Sequence, residues 1–235
     1  MKTCIINGAS RGIGRAIAIE LSRGEDIDRF ILIARDAERL HETKALMNKE
    51  QKQIDIYPVD LADIAATEQA YQSIARDYES IDILINCAGY AEPKSLLETS
   101  IENWENTYRV NVTSMFIAIK EVVRVMKKTG GKILNVASTA GMGSRPGWLA
   151  YASSKAAVIS MSDTLSDELK EYGIKVYCVS PGRCATDLRK ILAPDEDPST
   201  IMQPEHVANV VKNLLSESGD CLDGQNIVIR KQIFL

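Results

Sequence analysis

Short apolar runs alternate with longer stretches of helical periodicity along the whole chain. Runs rich in β-branched residues predict seven strands, at residues 3–7, 30–34, 54–59, 81–85, 132–136, 174–179 and 225–229. A helix is predicted after the first strand, where Ile13, Ile17 and Leu21 share one face, and further helices at residues 37–52, 64–78, 100–128, 149–172 and 204–216. Residues 183–203, rich in Pro and Asp, are expected to form an irregular loop that acts as a lid.

The alternation of strands and helices predicts the fold class. Strands separated by helices pair in parallel through right-handed crossovers, and the helices cover both faces of the sheet. The expected architecture is a doubly wound, three-layer α/β sandwich with a parallel sheet of about seven strands. Ligands of such sheets bind beyond the carboxyl ends of the strands. Polar residues that follow predicted strand ends place the expected site at that edge: Ser10, Arg35, Asp60, Asn86, Ser138 and Thr186.

Composition narrows the class of partner. With 235 residues, 45% of them hydrophobic, the chain is long enough for one well-buried domain. A net charge of −4 argues against nucleic-acid binding, so the expected partners are small molecules. Five scattered cysteines without C-x-x-C spacing indicate reduced core thiols. The first residues predict a strand rather than a signal peptide, and no run is apolar enough for a membrane helix, so a soluble, cytoplasmic protein is expected.

A glycine turn separates the first predicted strand from the first predicted helix. Its glycines are Gly8, Gly12 and Gly14. In this context glycines let the backbone approach a pyrophosphate at a helix N-terminus, although a tight turn without a ligand is the alternative. Arg11 within the turn and Arg35 after the second strand favour NADP(H), because guanidinium groups bind a 2′-phosphate. Asp36 could instead accept a hydrogen bond from the ribose of NAD(H), which stays open as a second cofactor.

Tyr151 and Lys155 lie four residues apart at the start of a predicted helix. One helical turn separates them, so both side chains share a face. A lysine ammonium beside a phenol favours the phenolate and is expected to lower the pKa of the tyrosine toward working pH. A solvated helix face is the alternative for such a pair taken alone. Neither His41 nor His206 has the company of other metal ligands, and no metal site is expected.

These features together resemble the short-chain dehydrogenase/reductases, from Lys2 to about Ile229. The residues that carry the resemblance, in family order and at family spacings, are the glycine turn, Asp60, Asn86-x-Ala88-Gly89, Asn111, Ser138, Tyr151-x-x-x-Lys155 and Pro181-Gly182-x-x-x-Thr186. Within the family the chain looks most like NADPH-dependent carbonyl reductases of the 3-oxoacyl-carrier-protein reductase and sepiapterin-reductase type. Asn7, Cys87 and Cys184 depart from the family pattern. A C-terminus without the glycine pair common in the acyl-carrier reductases weakens a fatty-acid assignment.

The resemblance implies a Rossmann-type oxidoreductase that transfers a hydride between NADP(H) and a small ketone, aldehyde or alcohol. It implies Tyr151 as the proton donor, Ser138 as a second hydrogen bond to the carbonyl oxygen, Lys155 on the nicotinamide ribose, and Asn111 holding a relay water. The implied cofactor-binding residues are Gly8, Ser10, Arg11, Gly12, Ile13, Gly14, Arg35, Asp60, Leu61, Asn86, Ala88, Gly89, Tyr151, Lys155, Pro181, Gly182, Cys184 and Thr186. A non-catalytic NADP(H) sensor on the same fold is the alternative, against which the complete catalytic set argues.

Substrate residues and assembly are the least defined expectations. Ser138, Met142, Trp148, Arg183 and Leu188 are expected around the site opening. Trp148 could instead pack in the core, and Arg183 could meet a carboxylate, a phosphate or only solvent. One domain is expected, with residues 1–90 mainly binding the cofactor and residues 91–235 forming the catalytic half with its loop at 183–203. The long helices at 100–128 and 149–172 resemble those by which the family forms homodimers and homotetramers.

Overall fold

All seven predicted strands are present in one parallel sheet. The computed structural model describes residues 1–48, 50 and 52–231. Its strands are β1 (Thr3–Asn7), β2 (Arg29–Ala34), β3 (Gln53–Pro58), β4 (Ile83–Asn86), β5 (Gly131–Val136), β6 (Ile174–Pro181) and β7 (Asn226–Ile229). Their order is β3-β2-β1-β4-β5-β6-β7. Strands β2 and β3 are added on one side of β1, and β4 and the later strands on the other side. At the switch point between β1 and β4 the loops diverge and open a crevice.

The helices lie between the strands in sequence. They are α1 (Gly12–Ser22), α2 (Ala37–Leu46), α3 (Ile64–Asp77), α4 (Ile101–Tyr108), α5 (Ser114–Met126), α6 (Leu149–Glu168), α7 (Asp187–Leu192) and α8 (Pro204–Leu215). Asp36 begins α2 by accepting a hydrogen bond from the Arg39 amide, and Asp63 begins α3 by accepting from that of Ala66, each at 3.0 Å. Side-chain acceptors at these positions satisfy amides that have no partner within the helix.

Consecutive strand residues point to opposite faces, and each face packs against its own helices. On one face Ile6 of β1 belongs to the same buried cluster as Ile17 of α1 and Val211 of α8. On the other face Ile5 of β1 belongs to a cluster with Val122 of α5. A sheet covered on both sides has apolar residues at every strand position, which explains the continuous apolar runs of the sequence. The predicted doubly wound, three-layer α/β sandwich is confirmed.

Two predicted helices differ most from the structure in their bounds. The helix expected at 37–52 ends at Leu46; residues 49 and 51 lie outside the described part of the chain. The helix expected at 100–128 is divided into α4 and α5 by a π-helical turn, Arg109–Thr113. Such a turn accommodates one extra residue and is common at functional sites. Here it contains Asn111, whose side chain is bound to the segment after β4.

The lid at 183–203, expected to be irregular, contains regular structure. Thr186 begins α7 by accepting a hydrogen bond of 3.1 Å from the Arg189 amide, and Pro198–Thr200 forms a 3₁₀ turn. The helix has only six residues, so its apolar periodicity is too short to be recognised in the sequence. Ion pairs within the lid and with the body of the protein hold this segment in place.

Two further observations concern the described residues only. None of the helices there combines the length and the apolar character that a membrane crossing requires. No three His, Cys, Asp or Glu side chains within the same residues come close enough together to hold a metal ion.

Candidate active site

A cleft of about 650 Å³ lies beyond the carboxyl ends of β1 to β6. Its size falls within the range of about 300–1,000 Å³ that is typical of small-molecule sites. Of the residues expected at the site, those that line the cleft are Gly8, Ser10, Arg11, Gly12, Ile13, Gly14, Arg35, Asp60, Leu61, Ala88, Gly89, Ser138, Trp148, Tyr151, Lys155, Pro181, Gly182, Arg183, Cys184, Thr186 and Leu188. Residues from nearly the whole chain therefore meet at the edge of the sheet where the strand pattern placed the site.

Three expected residues lie outside the lining of this cleft. Asn86 and Asn111 are buried just beneath it, with 5% and 2% of their surface exposed. Met142 ends a 3₁₀ turn and is half exposed. Its sulfur accepts from the Asn226 amide at 3.8 Å, so the side chain points toward β7. Met142 therefore lies outside the lining of the cleft, and its expected contact with substrate stays a prediction.

The glycine turn is formed by close backbone approach. Gly8 and Gly12 have φ angles of 76° and 55°, in the left-handed region that favours glycine. A Cβ at Gly14 would lie 2.2 Å from the Gly8 carbonyl oxygen, so no larger residue fits this position. Thr186 of the lid packs against Gly12, where a Cβ would meet its methyl group at 3.2 Å. The N-terminus of α1 is thereby opened to the cleft from one side and covered by the lid on another.

One end of the cleft, next to β2 and β3, is rich in guanidinium groups. Arg11 and Arg39 both reach Oδ2 of Asp187, at 3.3 and 3.5 Å, and Arg35 lies 3.7 Å from Asp60. Arg39 was not singled out from the sequence. Its position in the first turn of α2, four residues after Arg35, is the signal that could have identified it. The structure thus gathers a third cation beside the two expected ones.

Asp36, the carboxylate that could bind the ribose of NAD(H), already has a partner within the protein. Its Oδ1 accepts from the Arg39 amide at 3.0 Å, and its Oδ2 lies 3.4 Å from Nε of Arg39. A carboxylate used both as a helix cap and in an ion pair is held in place by its own helix. Both oxygens of Asp36 therefore already have partners on its own helix, whereas Arg35 has 78% of its side chain exposed at this end.

Tyr151 and Lys155 lie on the floor of the cleft, at its other end. Lys155 is 4% exposed and its ammonium lies 5.9 Å from the centre of the Tyr151 ring. Burial lowers the pKa of Lys155 to about 8. Burial also raises the pKa of Tyr151, while the neighbouring Ser138 hydroxyl lowers it. The sequence predicted a tyrosine pKa lowered by the lysine, but in the structure desolvation of the phenol outweighs the neighbouring charges.

Asn111 joins the π-helical turn to the segment after β4. Its Oδ1 accepts from the Tyr90 amide at 2.7 Å, and its Nδ2 donates to the Tyr90 carbonyl and to Ser154 Oγ, each at 2.9 Å. A small internal cavity of about 10 Å³ lies here, lined by Asn111, Lys155 and other residues. That volume is about what one water molecule requires, and the lining is polar enough to hold one.

A chain of buried amides crosses the sheet beneath the cleft. Asn7 donates to Asn86 at 2.6 Å, Asn86 donates to Asn135 at 2.9 Å, and Asn135 donates to Ser162 at 3.0 Å. Tyr71 donates to Oδ1 of Asn7. The three asparagines stand side by side in the strand register, a relationship that the sequence alone does not reveal. In the described part of the chain every buried side-chain amide has a hydrogen-bond partner, which fixes the strand ends that support the site.

Two cysteines that depart from the family pattern lie at the cleft. Burial raises the pKa of both Cys87 and Cys184 to about 12. The nearby Lys155 ammonium lowers the pKa of Cys87, but less than burial raises it. Since the thiolate is the reactive form, both thiols are unreactive at neutral pH and act as small apolar groups.

Trp148, Leu188 and the lid form the wall beside Tyr151. The Trp148 ring meets the Tyr151 ring edge to face, with 6.3 Å between centres. Arg189 lies over the Trp148 ring at 5.8 Å, and Arg183 pairs with Glu196 at 3.1 Å. Trp148 is partly exposed and lines the cleft instead of being enclosed in the core, and its contact with substrate stays a prediction. Arg189 and Arg145, which also line the cleft, were not singled out from the sequence.

Comparison with known proteins identifies the family. The sequence profile described as short chain dehydrogenase matches residues 2–197. A 2,3-dihydro-2,3-dihydroxybenzoate dehydrogenase of Bacillus subtilis is 36% identical over 198 residues, covering 83% of this chain and 75% of that protein. A 3-oxoacyl-acyl-carrier-protein reductase of Haemophilus influenzae is 30% identical over 245 residues, covering 100% and 98%. A short-chain dehydrogenase of Shigella flexneri, solved in complex with NADP, superimposes with a TM-score of 0.88 at 26% identity, covering 97% and 96%.

The profile spans most of the chain, and the second relative matches it over its full length. Both agree with the resemblance carried by the glycine turn and by Tyr151 and Lys155. The protein therefore belongs to the short-chain dehydrogenase/reductase family and is an NAD(P)-dependent oxidoreductase.

Proposed function

We propose that this protein uses NADP(H) to reduce a small ketone or aldehyde, or to oxidise the corresponding alcohol, with Tyr151 as the acid/base. The observation that carries the proposal is the convergence of Tyr151, Ser138 and Lys155 at one end of a cleft whose other end holds the glycine turn and three arginines. Carbonyl reduction needs a proton donor at the oxygen that becomes an alkoxide, and a second group that holds this oxygen. The phenol and the Ser138 hydroxyl supply these two groups.

NADPH, when bound, supplies the hydride. The cleft fits it: Gly89 has no side chain in front of Lys155, where an added Cβ would lie 3.8 Å from the ammonium. This leaves space for the nicotinamide ribose beside Lys155. We assign Asp60 and Leu61 to the adenine, the segment from Asn86 to Gly89 to the adenosine ribose, and Pro181, Gly182, Cys184 and Thr186 to the carboxamide, as the family resemblance implies; all of these except Asn86, which is buried just beneath it, line the cleft.

The preference for NADP(H) rests on the cations at the adenosine end. Arg11, Arg35 and Arg39 all line the cleft there, and guanidinium groups bind a phosphate through paired hydrogen bonds. Asp36, the group that would favour NAD(H), is occupied as a helix cap. The Shigella flexneri structure contains NADP, which supports the same choice.

Lys155 has two tasks in this proposal. Its ammonium orients the cofactor ribose, and it passes protons to Tyr151 from the solvent. The cavity between Lys155 and Asn111 has room for one water on that path. Asn111 holds the path open because its side chain ties the π-helical turn to Tyr90.

The names of the relatives leave the substrate open. One is a dehydrogenase of a dihydroxybenzoate derivative and another a reductase of 3-oxoacyl groups on a carrier protein. Both reactions exchange a hydride at a carbon that bears oxygen, which supports the reaction class. They favour neither direction for this chain.

Assembly into a homodimer or homotetramer is part of the proposal, as is a single domain with its cofactor half in residues 1–90. Ile101 of α4 and Phe116 of α5 are 74% and 52% exposed. Large apolar groups on neighbouring helices are typical of surfaces that pack against a second copy. Light scattering should give a mass of at least two chains, and a monomer would remove this part.

The reaction is tested by removing the phenol oxygen. Tyr151→Phe should lower kcat for carbonyl reduction by about 10²–10⁴-fold, the usual contribution of a general acid, while NADPH binding is kept. The matched control is Tyr172→Phe. Tyr172 is an exposed tyrosine in the turn that follows α6, so this variant should leave kcat unchanged. Retained turnover in Tyr151→Phe would refute the proposal.

A further inference from the structure

Charge is unevenly distributed along the cleft. Near β2 and β3 the arginines face carboxylates, those of Asp36, Asp60 and Asp187. At the Tyr151 end the described lining residues include three arginines and no carboxylate: Arg145, Arg183 and Arg189. A cleft that accumulates one sign of charge favours a ligand group of the opposite sign.

Two of these arginines contact Trp148, Arg145 through its backbone and Arg189 through its side chain. The Trp148 amide donates to the Arg145 carbonyl at 3.0 Å, so one tight turn joins the two residues. Arg189 reaches the same indole from the lid, with its guanidinium carbon 5.8 Å from the ring centre. Because the Trp148 ring lies 6.3 Å from the Tyr151 ring, the Arg189 guanidinium is within one aromatic ring of the phenol, and Arg145 lines the same cleft. Arg189 is close enough for its charge to lower the pKa of Tyr151.

The negative charge near these arginines balances only part of their positive charge. Glu196 accepts from Nε and Nη2 of Arg189 at 2.5 and 2.9 Å and also pairs with Arg183 at 3.1 Å. One carboxylate therefore serves two guanidinium groups. Within the described residues, Nη1 of Arg189 has no hydrogen-bond partner, and Arg189 is only 19% exposed.

Arg145 has still less compensation. Its Nη1 donates to the neighbouring Ser144 carbonyl at 2.8 Å. No carboxylate in the described part of the chain lies within ion-pair distance of it. An arginine paired with a backbone carbonyl keeps most of its five donors available. The rest of this wall, Leu188 and Leu192, is apolar and offers an anion nothing else.

We propose that the substrate carries an anionic group, a carboxylate or a phosphate, besides its reacting carbonyl or alcohol, and that Arg145 and Arg189 bind this group. The inference rests on the proposed function, since it concerns the substrate of the same site. Carboxylate and phosphate oxygens match the planar fork of a guanidinium. Arg183, the cation singled out from the sequence, is 49% exposed and held by Glu196, and it shapes the lid instead.

The test uses two pairs of carbonyl compounds that differ in charge: acetoacetate against ethyl acetoacetate, and dihydroxyacetone phosphate against dihydroxyacetone. For each compound, kcat/KM is measured with NADPH, and the dissociation constant is measured on the enzyme saturated with NADP⁺. The anion of at least one pair should be preferred, and the better pair distinguishes a carboxylate from a phosphate. Arg145→Gln and Arg189→Gln should each lower the ratio of anion to neutral kcat/KM by about 10- to 100-fold, as expected for a charged hydrogen bond.

The controls separate charge at the site from charge on the lid. Lys190→Gln removes a cation from the same helix, at an exposed position outside the cleft lining, and should leave the ratio unchanged. Arg145→Lys keeps the charge and should restore part of the preference. Arg145 lies outside the lid, so its variants test the inference even if Arg189→Gln disturbs α7.

Each outcome decides one of the two proposals. Reduction of the neutral ketones without any preference for the anions, or a preference that survives both glutamine variants, overturns the anionic substrate and leaves the reductase standing. Failure of all four compounds to bind the NADP⁺ complex overturns it as well. Tight binding of an anion without turnover of any carbonyl compound supports the anion site and counts against the reductase.

Discussion

The ammonium of Lys155 donates a hydrogen bond of 2.9 Å to the carbonyl oxygen of Val136, the last residue of β5. The cation is thus buried against the end of the sheet, where desolvation lowers its pKa to about 8. Desolvation raises the pKa of Tyr151, so the phenol keeps its proton at a pH where the lysine has lost its own. The first catalytic group to titrate above neutral pH is therefore Lys155.

This order of titration predicts how carbonyl reduction depends on pH. Lys155 must be protonated to relay protons to Tyr151, and its proton is lost as the pH rises through its lowered pKa. The kcat/KM for reduction should therefore be level below pH about 8 and fall above it. The measurement is a pH profile of kcat/KM with NADPH and an active ketone.

A lysine-to-arginine variant provides the control for that profile. Lys155→Arg keeps a charge that does not titrate in this range, so any activity it retains should persist to higher pH. A wild-type profile that stays level well above the lysine's pKa would contradict the assignment.

Arg39 is expected to contribute to cofactor selectivity. Its guanidinium lines the adenosine end of the cleft, and only exposed carboxylates compete for it. Arg39→Ala should weaken NADPH binding by about tenfold, or about 1.4 kcal/mol, and leave NADH binding nearly unchanged. Fluorescence titration of the two cofactors measures the difference.

The matched control for Arg39 is Arg109→Ala, which removes an exposed arginine paired with Glu105 on α4 and should change neither affinity. Replacing Arg11 and Arg35 together should also weaken NADPH far more than NADH. Equal losses for both cofactors would show that these cations do not recognise a 2′-phosphate.

Gly14 is expected to be essential for folding because of a backbone contact. A Cβ there would lie 2.2 Å from the Gly8 carbonyl oxygen, and neither group is a flexible side chain that could move away. Gly14→Ala should lower the free energy of unfolding by about 3 kcal/mol or more. Gly143→Ala, where an added Cβ meets nothing within 4 Å, should stay within about 0.5 kcal/mol in the same urea titration. Equal stabilities would disprove the steric argument.

A substitution at Gly89 should weaken cofactor binding without lowering the stability of the fold. An added Cβ would have only ordinary contacts, the nearest at 3.8 Å from Leu188 and from the Lys155 ammonium, so Gly89→Ala should unfold at nearly the wild-type urea concentration. The methyl group would occupy the space in front of Lys155 that the ribose needs, and NADPH affinity should fall by at least about tenfold, or about 1.4 kcal/mol. Unchanged affinity in a stable variant would show that the cofactor does not pass this glycine.

Local patterns in the sequence were sufficient for the sheet and for the position of the site. Strand and helix periodicities differ, and glycines mark the turn that follows β1, so these features can be predicted from neighbouring residues alone. Arg11, Tyr151 and Lys155 were identified in the same way, because each stands at a spacing tied to one element. Short or interrupted elements could not be predicted in this way. The helix α7 has only six residues, and the π-helical turn at Asn111 leaves no mark in the helical pattern of the sequence.

Contacts between distant parts of the chain were decided only by the tertiary structure. Arg189 reaches Trp148 because the lid folds back over the cleft, and Arg39 meets Asp187 for the same reason. The raised pKa of Tyr151 likewise depends on burial under several elements, which outweighs the lowering by the Ser138 hydroxyl and by the charge of Arg189. The spacing of residues along the chain thus determines which groups share an element, whereas packing between elements determines which charges meet and how far water is excluded from them.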